Sequence, residues 1–440
     1  ADGVTVEGAA QQQLNIPADS AARADWRVRV NDVDGVDLTF TAREVNGAYT
    51  DAARPVVGRE SDQMIPVYRY IVPETVGTSG VLRAGETRTE VIALPDEIAG
   101  GELTVQIQPS LAAVTLDGLT YLRNFEHQCI EQTVSRFFPN MLTYAALERL
   151  GVEDAALHSQ LERVVNEALQ QLVNWQNVDG GWGWFSGAES SPLTTAYSLI
   201  ALSEARAQGF PIADAMIERA QRYLRTTFIV PGITVETWHL NRQAFVLYAL
   251  ARSGSPDVAR TSNLYVFRAR LNLDAQAYLA MTLHLIRPAD PRIAVLRSDL
   301  VSAAVFSATG AHWEEGYRDY WNWSSDTRTT AIILAAMVQI DPESDLLPNT
   351  VRWLITQRQT SAWSSTQETA WAVMALTEWM VATGELQPDY DYRAILNGTE
   401  IDAATVTAAD ADETFTLIVQ VADMIAGGSN PLTLAASDGD

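Results

Sequence analysis

A long central block of helix-type sequence, with strand-type sequence on both sides, constrains this fold more than any other feature. From about residue 109 to about residue 386, apolar residues recur at helical spacing, and loops with Gly, Pro, Ser or Asp separate the helices. The predicted helices are 145–150, 157–175, 194–207, 212–224, 241–251, 275–285, 290–307, 329–338, 349–357 and 369–383. Short amphipathic helices of this kind bury their apolar faces by packing on one another.

An internal repeat predicts how these helices pack. A turn with Trp or Gly is followed by a helix that starts Thr-Thr-Ala or Thr-Ala and is rich in small residues. The repeat units are residues 174–185 with Thr194, residues 321–323 with Thr329, and residues 353–363 with Thr369. Threonine suits a helix start, and alanine lets helices approach closely. Because such helix pairs must stack on their neighbours, the sequence predicts an α/α-toroid, which is a closed double ring of helices.

The flanking regions alternate apolar and polar residues with a period of two, as strands of antiparallel sheets do. The predicted strands before the helical block are 26–30, 37–41, 67–71, 87–92 and 102–107, and those after it are 392–396, 414–421 and 432–434. Turn residues separate them, for example Gly77 to Gly80 and Asn397-Gly398. Short alternating strands at this spacing indicate antiparallel sandwich structure on both sides of the toroid.

The only cysteine of the chain, Cys129, stands three residues before Gln132. Side chains three residues apart at the first turn of a helix lie on the same face, so the thiol can reach the carboxamide. Loss of ammonia would join the Cys129 sulfur to the side-chain carbonyl carbon of Gln132 as an internal thioester, which acylates amines and hydroxyls. The alternative is an ordinary buried thiol, since free cysteines are often buried.

Residues 129–140, Cys-Ile-Glu-Gln-Thr-Val-Ser-Arg-Phe-Phe-Pro-Asn, resemble the thioester segment of bacterial proteins of the α2-macroglobulin and complement family. The resemblance implies that the toroid is a thioester domain inserted in an antiparallel β-sandwich of the CUB type. It implies a macroglobulin-like β-segment at 1–79, a first CUB-like part at 80–108, the toroid at 109–386, and a second CUB-like part at 387–440, alone or with the start of a further macroglobulin-like domain.

The same resemblance assigns roles around the cysteine. Gln132 supplies the acyl carbon, Cys129 is the leaving group, and Glu131 is the acid of the signature. For Glu131 we keep three roles open: orienting the site, handling a proton, or acting as a plain acid at a helix N-terminus.

Other residues are candidates for protecting or assisting the bond. Shielding from water is expected of four apolar side chains, for which core packing is the alternative: Phe125, Phe137, Phe138 and Met141. Bacterial relatives often have a tyrosine where this chain has Phe125, so a locking hydroxyl is missing here. Complement-type proteins use a histidine to attack the thioester, and His239 is the candidate, although its surroundings do not match the complement pattern and a structural role is favoured. His127 can tune the site.

The resemblance implies a protease-trapping inhibitor rather than a turnover enzyme. A proteinase cuts a bait region upstream of residue 1, and a proteinase lysine then attacks the Gln132 carbonyl to leave an amide cross-link. Target proteinases are therefore the expected partners, and we expect a monomer. The chain begins without Met and has no apolar run long enough for a membrane span. We expect part of a longer exported protein, periplasmic or at the cell surface, with any membrane anchor outside residues 1–440.

Composition excludes some classes of function. The net charge of −25 disfavours nucleic acid as a partner. One cysteine and five scattered histidines show no zinc-type spacing, so we expect no metal and no cofactor. All basic residues are arginine, and a guanidinium does not lose its proton readily. The chain therefore has no side-chain amine that could consume its own thioester.

Two other functions remain open. Residues 176–182 fit the Gln-x-x-x-Gly-x-Trp turn of terpenoid cyclases, which share the toroid, but the Asp-rich motif of such isoprenoid enzymes is missing. The other possibility is a binding or adhesion module, in which Cys129 is a plain thiol or its thioester attaches the protein to host surfaces.

Overall fold

The computed structural model describes residues 1–55, 64–68, 74, 76–77, 82, 85–125, 129–149, 155–307, 310–359, 361–383, 389–407, 410 and 413–437. They fall into two compact units, Ala1–Val76 and Gly77–Asp440. Most of the predicted strand 67–71, most of the turn 77–80, and His127 lie outside the described residues.

The strands of the first unit pair two by two in antiparallel fashion. They are β1 (Val4–Glu7), β2 (Arg27–Val30), β3 (Gly35–Val36), β4 (Phe40–Arg43), β5 (Thr50–Ala53) and β6 (Ile65–Pro66). β1 pairs with β2, β3 with β6, and β4 with β5. The predicted strand 26–30 corresponds to β2. The predicted strand 37–41 is wrong in its bounds, because Asp37 instead forms an isolated bridge with Asp2 between β3 and β4.

Strands of the second unit lie before, within and after its helices. They are β7 (Thr87–Ala93), β8 (Glu102–Ile107), β9 (Val305–Ser307), β10 (Gly310–His312), β11 (Tyr390–Leu396), β12 (Thr399–Val406), β13 (Phe415–Gln420) and β14 (Ser429–Ala436). Its helices are α1 (Leu111–Arg123), α2 (Ile130–Arg149), α3 (Ala155–Trp175), α4 (Pro192–Ala207), α5 (Asp214–Thr226), α6 (Thr237–Arg252), α7 (Val258–Tyr265), α8 (Leu273–Ile286), α9 (Pro291–Ser302), α10 (Asp326–Ile340), α11 (Leu346–Thr356) and α12 (Thr366–Thr383).

Every second helix from α2 to α12 belongs to an inner ring. α2 packs on α4, α4 on α6, α6 on α8, α8 on α10, α10 on α12, and α12 packs back on α2, so the ring closes. The intervening helices pack against the outside of the ring. This arrangement confirms the predicted α/α-toroid. None of the helices in the described ranges is both long enough and apolar enough to cross a membrane.

The repeat appears in the structure as a Trp–Thr contact at the start of three inner helices. Trp182, Trp313 and Trp363 each donate a backbone N–H to a threonine hydroxyl, at Thr195, Thr330 and Thr369. Their indole N–H groups donate to carbonyls of Leu172, Leu300 and Leu354, at the ends of the preceding outer helices. Each contact therefore ties an outer helix to the inner helix that follows it.

Several predictions about the helices need correction. The helix predicted at 145–150 begins much earlier, because α2 starts at Ile130. The second repeat unit uses Trp313 instead of the predicted residues 321–323. The helix predicted to run to residue 307 ends at Ser302, because residues 305–307 pair with β10 as strand β9. Helices α1 and α7 were not predicted.

Strands from both sides of the toroid form one β-structure. β7 pairs with β14, and β8 pairs with β13, so the chain leaves the strands after Ile107 and returns to them at Tyr390. The larger sheet has the order β12-β11-β14-β7, and β13-β8 is the smaller one. Their core consists of Val105, Leu396, Val421, Met424 and Leu432. The toroid is thus inserted in an antiparallel sandwich, as predicted. β12 was not predicted, although the Asn397-Gly398 turn that starts it was.

Candidate functional site

Cys129 lies directly before α2, one of the inner helices, and is 5% exposed. Its carbonyl oxygen accepts the backbone N–H and the hydroxyl of Thr133, each at 2.9 Å. The next residue, Ile130, donates its N–H to the carbonyl of Trp184 at 2.9 Å. The loop before α4 therefore holds the first turn of α2 in place from outside the helix.

The structure brings Cys129 and Gln132 together. The backbone N–H of Cys129 donates to Oε1 of Gln132 at 3.2 Å, so the carboxamide folds back over the first turn of α2. Burial raises the pKa of the Cys129 thiol, while backbone N–H groups of Gln132 and Glu131 act in the opposite direction. The sulfur and the carboxamide oxygen both lie at a helix N-terminus, where backbone N–H groups favour negative charge.

Glu131 lies between these two residues but its side chain is turned into the ring, where it is 5% exposed. Its carboxylate accepts hydrogen bonds from Ser135 Oγ at 2.7 Å, Thr366 Oγ1 at 3.0 Å and Gln367 Nε2 at 2.8 Å. Ser135 belongs to α2, whereas Thr366 and Gln367 are the first residues of α12. The signature acid thus joins the starts of two neighbouring inner helices.

The hydrogen bonds continue from α12 through α10 to α8. Arg328 donates from Nε to Gln367 Oε1 at 3.3 Å and from a terminal nitrogen to Tyr278 Oη at 3.1 Å. It also forms an ion pair with Asp274 at 3.2 Å, with both side chains almost fully buried. Sequence reasoning missed these partners. The available signal was a charged residue at the start of a helix rich in small residues, such as Arg328 beside Thr329.

Glu315 extends this group of carboxylates. Its oxygens accept the backbone N–H of Leu273 at 3.1 Å, that of Asp274 at 3.0 Å, and the Thr329 hydroxyl at 3.1 Å. Burial, together with the charge of Asp274, raises the pKa of Glu315 to about 7. Burial also raises the pKa of Asp274, against the effect of Arg328.

The proposed shielding residues occupy two different places. Phe125 is half-buried and meets Tyr121 edge-on, with ring centroids 5.7 Å apart. Phe137, Phe138 and Met141 are buried in the main core. These three residues lie at least two helical turns beyond Cys129, which is about 12 Å or more along α2 at ~1.5 Å per residue. Their shielding role stays a prediction.

Aromatic rings that sequence reasoning missed lie closer to the site. Trp184, whose carbonyl accepts the Ile130 N–H, meets Trp323 with ring centroids 5.8 Å apart. Trp323 in turn meets Tyr197 at 6.0 Å, and the Tyr197 hydroxyl is 3.1 Å from Ser135 Oγ. The signal in the sequence was the Trp-Gly-Trp-Phe turn at residues 182–185.

His239 lies in the first turn of α6 and stacks on Trp238, with centroids 3.4 Å apart. Burial lowers the pKa of its imidazole, and the charge of Arg242 lowers it further. Trp238 stacks on Trp321, and both line a surface cavity of about 620 Å³. These contacts are separate from those of Cys129, and a nucleophilic role for His239 stays a prediction. Within the described ranges, no three His, Cys, Asp or Glu side chains are grouped so that they could hold a metal.

Residues 103–242 match the family model of the A-macroglobulin TED domain. The α2-macroglobulin of Thermotoga maritima is 27% identical over 221 residues, which are 50% of this chain and 13% of that protein. The chain thus spans far less than two thirds of this relative. The fold of this chain is similar to that in a crystal structure of native α2-macroglobulin from Escherichia coli, which spans that protein from domain MG7 to the C-terminus. The TM-score is 0.56 at 16% identity, covering 98% of this chain and 68% of that one.

The chain is also similar to a diphosphate synthase. The drimenyl diphosphate synthase of Streptantibioticus cattleyicolor is 43% identical over 205 residues, which are 44% of this chain and 36% of that protein. This similarity makes the isoprenoid alternative worth testing against the interior of the ring.

Proposed function

Because this chain belongs to the α2-macroglobulin family, we propose that it captures proteinases covalently, through an internal thioester between Cys129 and Gln132. The observation that carries this proposal is the contact of the Cys129 N–H with Gln132 Oε1, 3.2 Å long, beside a buried thiol. The carboxamide is thus bonded to the backbone of the residue whose thiol is buried from water.

The thioester forms when the Cys129 sulfur attacks Cδ of Gln132. The C–S bond forms, the C–N bond of the carboxamide breaks, and ammonia leaves with the thiol proton. During this step negative charge develops on Oε1, which already accepts the Cys129 N–H. A preorganised backbone donor at this position lowers the barrier in the same way as an oxyanion hole.

The sulfur is the nucleophile when the thioester forms, and it is the leaving group when a proteinase is captured. A lysine amine of the proteinase attacks Cδ of Gln132, a C–N bond forms, and the Cys129 thiolate leaves and takes up the proton that the amine loses. Since burial raises the pKa of the thiol, a buried thiolate is a poor leaving group. We therefore expect the bond to be stable in this conformation and reactive when solvent and amines reach the start of α2.

The interior of the ring argues against the isoprenoid enzyme. Tyr278 on α8 meets Trp371 on α12 with ring centroids 5.6 Å apart, although α10 lies between these two helices in the ring. Phe245 on α6 meets Tyr278 at 4.9 Å. Large side chains therefore meet across the inside of the ring, where an isoprenoid chain would need an open cavity.

The first experiment is the intact mass of freshly purified protein, with and without methylamine. We expect a mass one ammonia below that of the sequence, and a titratable thiol that appears only after methylamine has been incorporated. Cys129→Ala is the control and should have the full mass of its sequence and take up no methylamine. A wild-type mass equal to that of the sequence, with no amine uptake, would refute the thioester.

A second experiment separates the trap from an adhesin. The thioester protein is incubated with a lysine-rich proteinase or with a hydroxyl-rich glycan, and covalent products are resolved by mass. Cross-links to proteinase lysines support the trap, and esters with the glycan support the adhesin. We also propose that the protein acts as a monomer, in the periplasm or at the cell surface.

A further inference from the structure

We infer that Gln367, on α12, is a positioning residue for the thioester, because it holds the carboxylate of Glu131 inside the ring and so fixes the first turn of α2. This inference rests on the proposed thioester chemistry. It gives Glu131 an orienting role and adds a residue 236 positions away in the sequence.

The hydrogen bonds of Glu131 support orientation over proton transfer. Gln367 Nε2 and the hydroxyls of Ser135 and Thr366 all donate to its carboxylate, which is the pattern of an ionised acceptor. The Ser135 hydroxyl donates to Glu131 and so accepts from Tyr197, 3.1 Å away. The carboxylate oxygens are therefore directed into the ring and already bonded, while Gln132 Oε1 lies over the first turn of α2.

Gln367 can position Glu131 because its own side chain is held at both ends. Its nitrogen donates to Glu131, and its oxygen accepts from Arg328, whose side chain is 2% exposed. Arg328 is in turn bound by Asp274 and Tyr278. A side-chain amide has N–H donors on its nitrogen and an acceptor oxygen beside it, so it can connect a carboxylate to a guanidinium.

The chain offers a matched control at the other end of the inner ring. Gln339, in the last turn of α10, donates to Glu378 of α12 at 3.1 Å. It too is an amide bonded to a carboxylate of a neighbouring inner helix, but it joins α10 to α12 instead of α12 to α2, and it lies at the opposite end of the ring from Cys129. Gln367→Leu and Gln339→Leu therefore each remove an amide–carboxylate bond between neighbouring inner helices, at opposite ends of the ring.

The first measurement is the rate at which the purified thioester protein releases a thiol in buffer without amine. We expect Gln367→Leu to raise this rate about tenfold, the factor that corresponds to one buried hydrogen bond to a charge. Gln339→Leu should leave it within about twofold of wild type. Melting temperatures of both variants are compared, so that a general loss of stability is recognised. Equal rates in the two variants would overturn the inference.

The second measurement is a charge-conserving exchange. Glu131→Gln and Gln367→Glu alone each disturb the pair, whereas together they restore an amide bonded to a carboxylate beside Arg328. We expect the double variant to recover the slow thiol release and the wild-type dependence of methylamine uptake on pH. If Glu131 instead transferred a proton, the double variant would stay as defective as Glu131→Gln, and the inference would fail.

The positioning role can be tested even if no thioester forms. In that case the proposed function fails, and the rate of Cys129 labelling by a thiol reagent replaces the rate of thiol release. Faster labelling in Gln367→Leu than in Gln339→Leu, at equal melting temperature, would still support the positioning role. Equal labelling would refute it.

Discussion

The two ends of the inner ring contain similar polar groups, but only one of them carries a thiol and a neighbouring carboxamide. At the N-terminal end, Asp274 pairs directly with Arg328, and Glu131 is linked to Arg328 through Gln367. At the C-terminal end, Arg252 of α6 pairs with Glu204 of α4 at 2.6 Å, and Gln339 binds Glu378. Paired charges are thus a general feature of this ring. Only the N-terminal end adds a thiol and a carboxamide on the same helix start.

Burial differs between the ends as well. The side chain of Arg328 is 2% exposed, whereas that of Arg252 is 29% exposed. A buried carboxylate that loses its cation is strongly destabilised, while a partly exposed one is solvated by water. The end that carries the site is therefore the end where each polar group depends most on its partner.

The largest effect expected from this difference is on stability. Arg328→Leu should lower the free energy of unfolding by about 3–5 kcal/mol, because Asp274 is left buried without its cation. Arg252→Leu should lower it by only about 1 kcal/mol, because water can replace the lost partner. Urea denaturation of both variants, followed by circular dichroism, measures the two values. Similar losses at the two ends would show that the ends do not differ in this way.

A smaller effect is expected in the pH dependence. The pKa of Glu315 is raised from 4.5 to about 7, so protonation favours the folded state, and this stabilisation is lost as the pH rises through about 7. The free energy of unfolding should fall by about 3 kcal/mol between pH ~4.5 and pH ~7.5 in wild type. Glu315→Gln should remove most of this fall.

The neighbouring Glu314 provides the control for this measurement, because its side chain is 62% exposed. Thermal denaturation at a series of pH values compares wild type, Glu315→Gln and Glu314→Gln. If Glu314→Gln flattened the profile as much as Glu315→Gln does, the titrating group would not be the carboxylate beside Asp274.

The smallest effect concerns the indole hydrogen bond of Trp363, one of the three tryptophans of the repeat. Trp363→Phe removes the indole hydrogen bond to Leu354, and Trp371→Phe removes an indole nitrogen that is buried without a hydrogen-bond partner among the described residues. Both changes shrink the side chain equally. We expect Trp363→Phe to be more destabilising by about 1 kcal/mol, measured by urea denaturation. An equal loss would mean that the hydrogen bond adds little to packing.

The sequence by itself determined the structural features that depend on residues close together along the chain. The helical periods predicted α4, α6, α8, α10, α12 and the end of α2, and period-two alternation predicted β7, β8 and β11. The spacing of Cys129 and Gln132 also accounts for the contact of the Gln132 side chain with the Cys129 backbone N–H, which a residue three positions into a helix can make with the residue before that helix. The reaction of the thiol with the carboxamide stays a prediction.

Only the tertiary structure decided which distant residues meet. Glu131 could have faced Cys129, solvent or the ring, and it faces the ring because Thr366 and Gln367 of α12 bind it there. The choice of Trp313 for the repeat likewise depends on its contacts with Leu300 and Thr330. Closing the ring brings α12 against α2, and no local period in the sequence specifies which side chains then become partners.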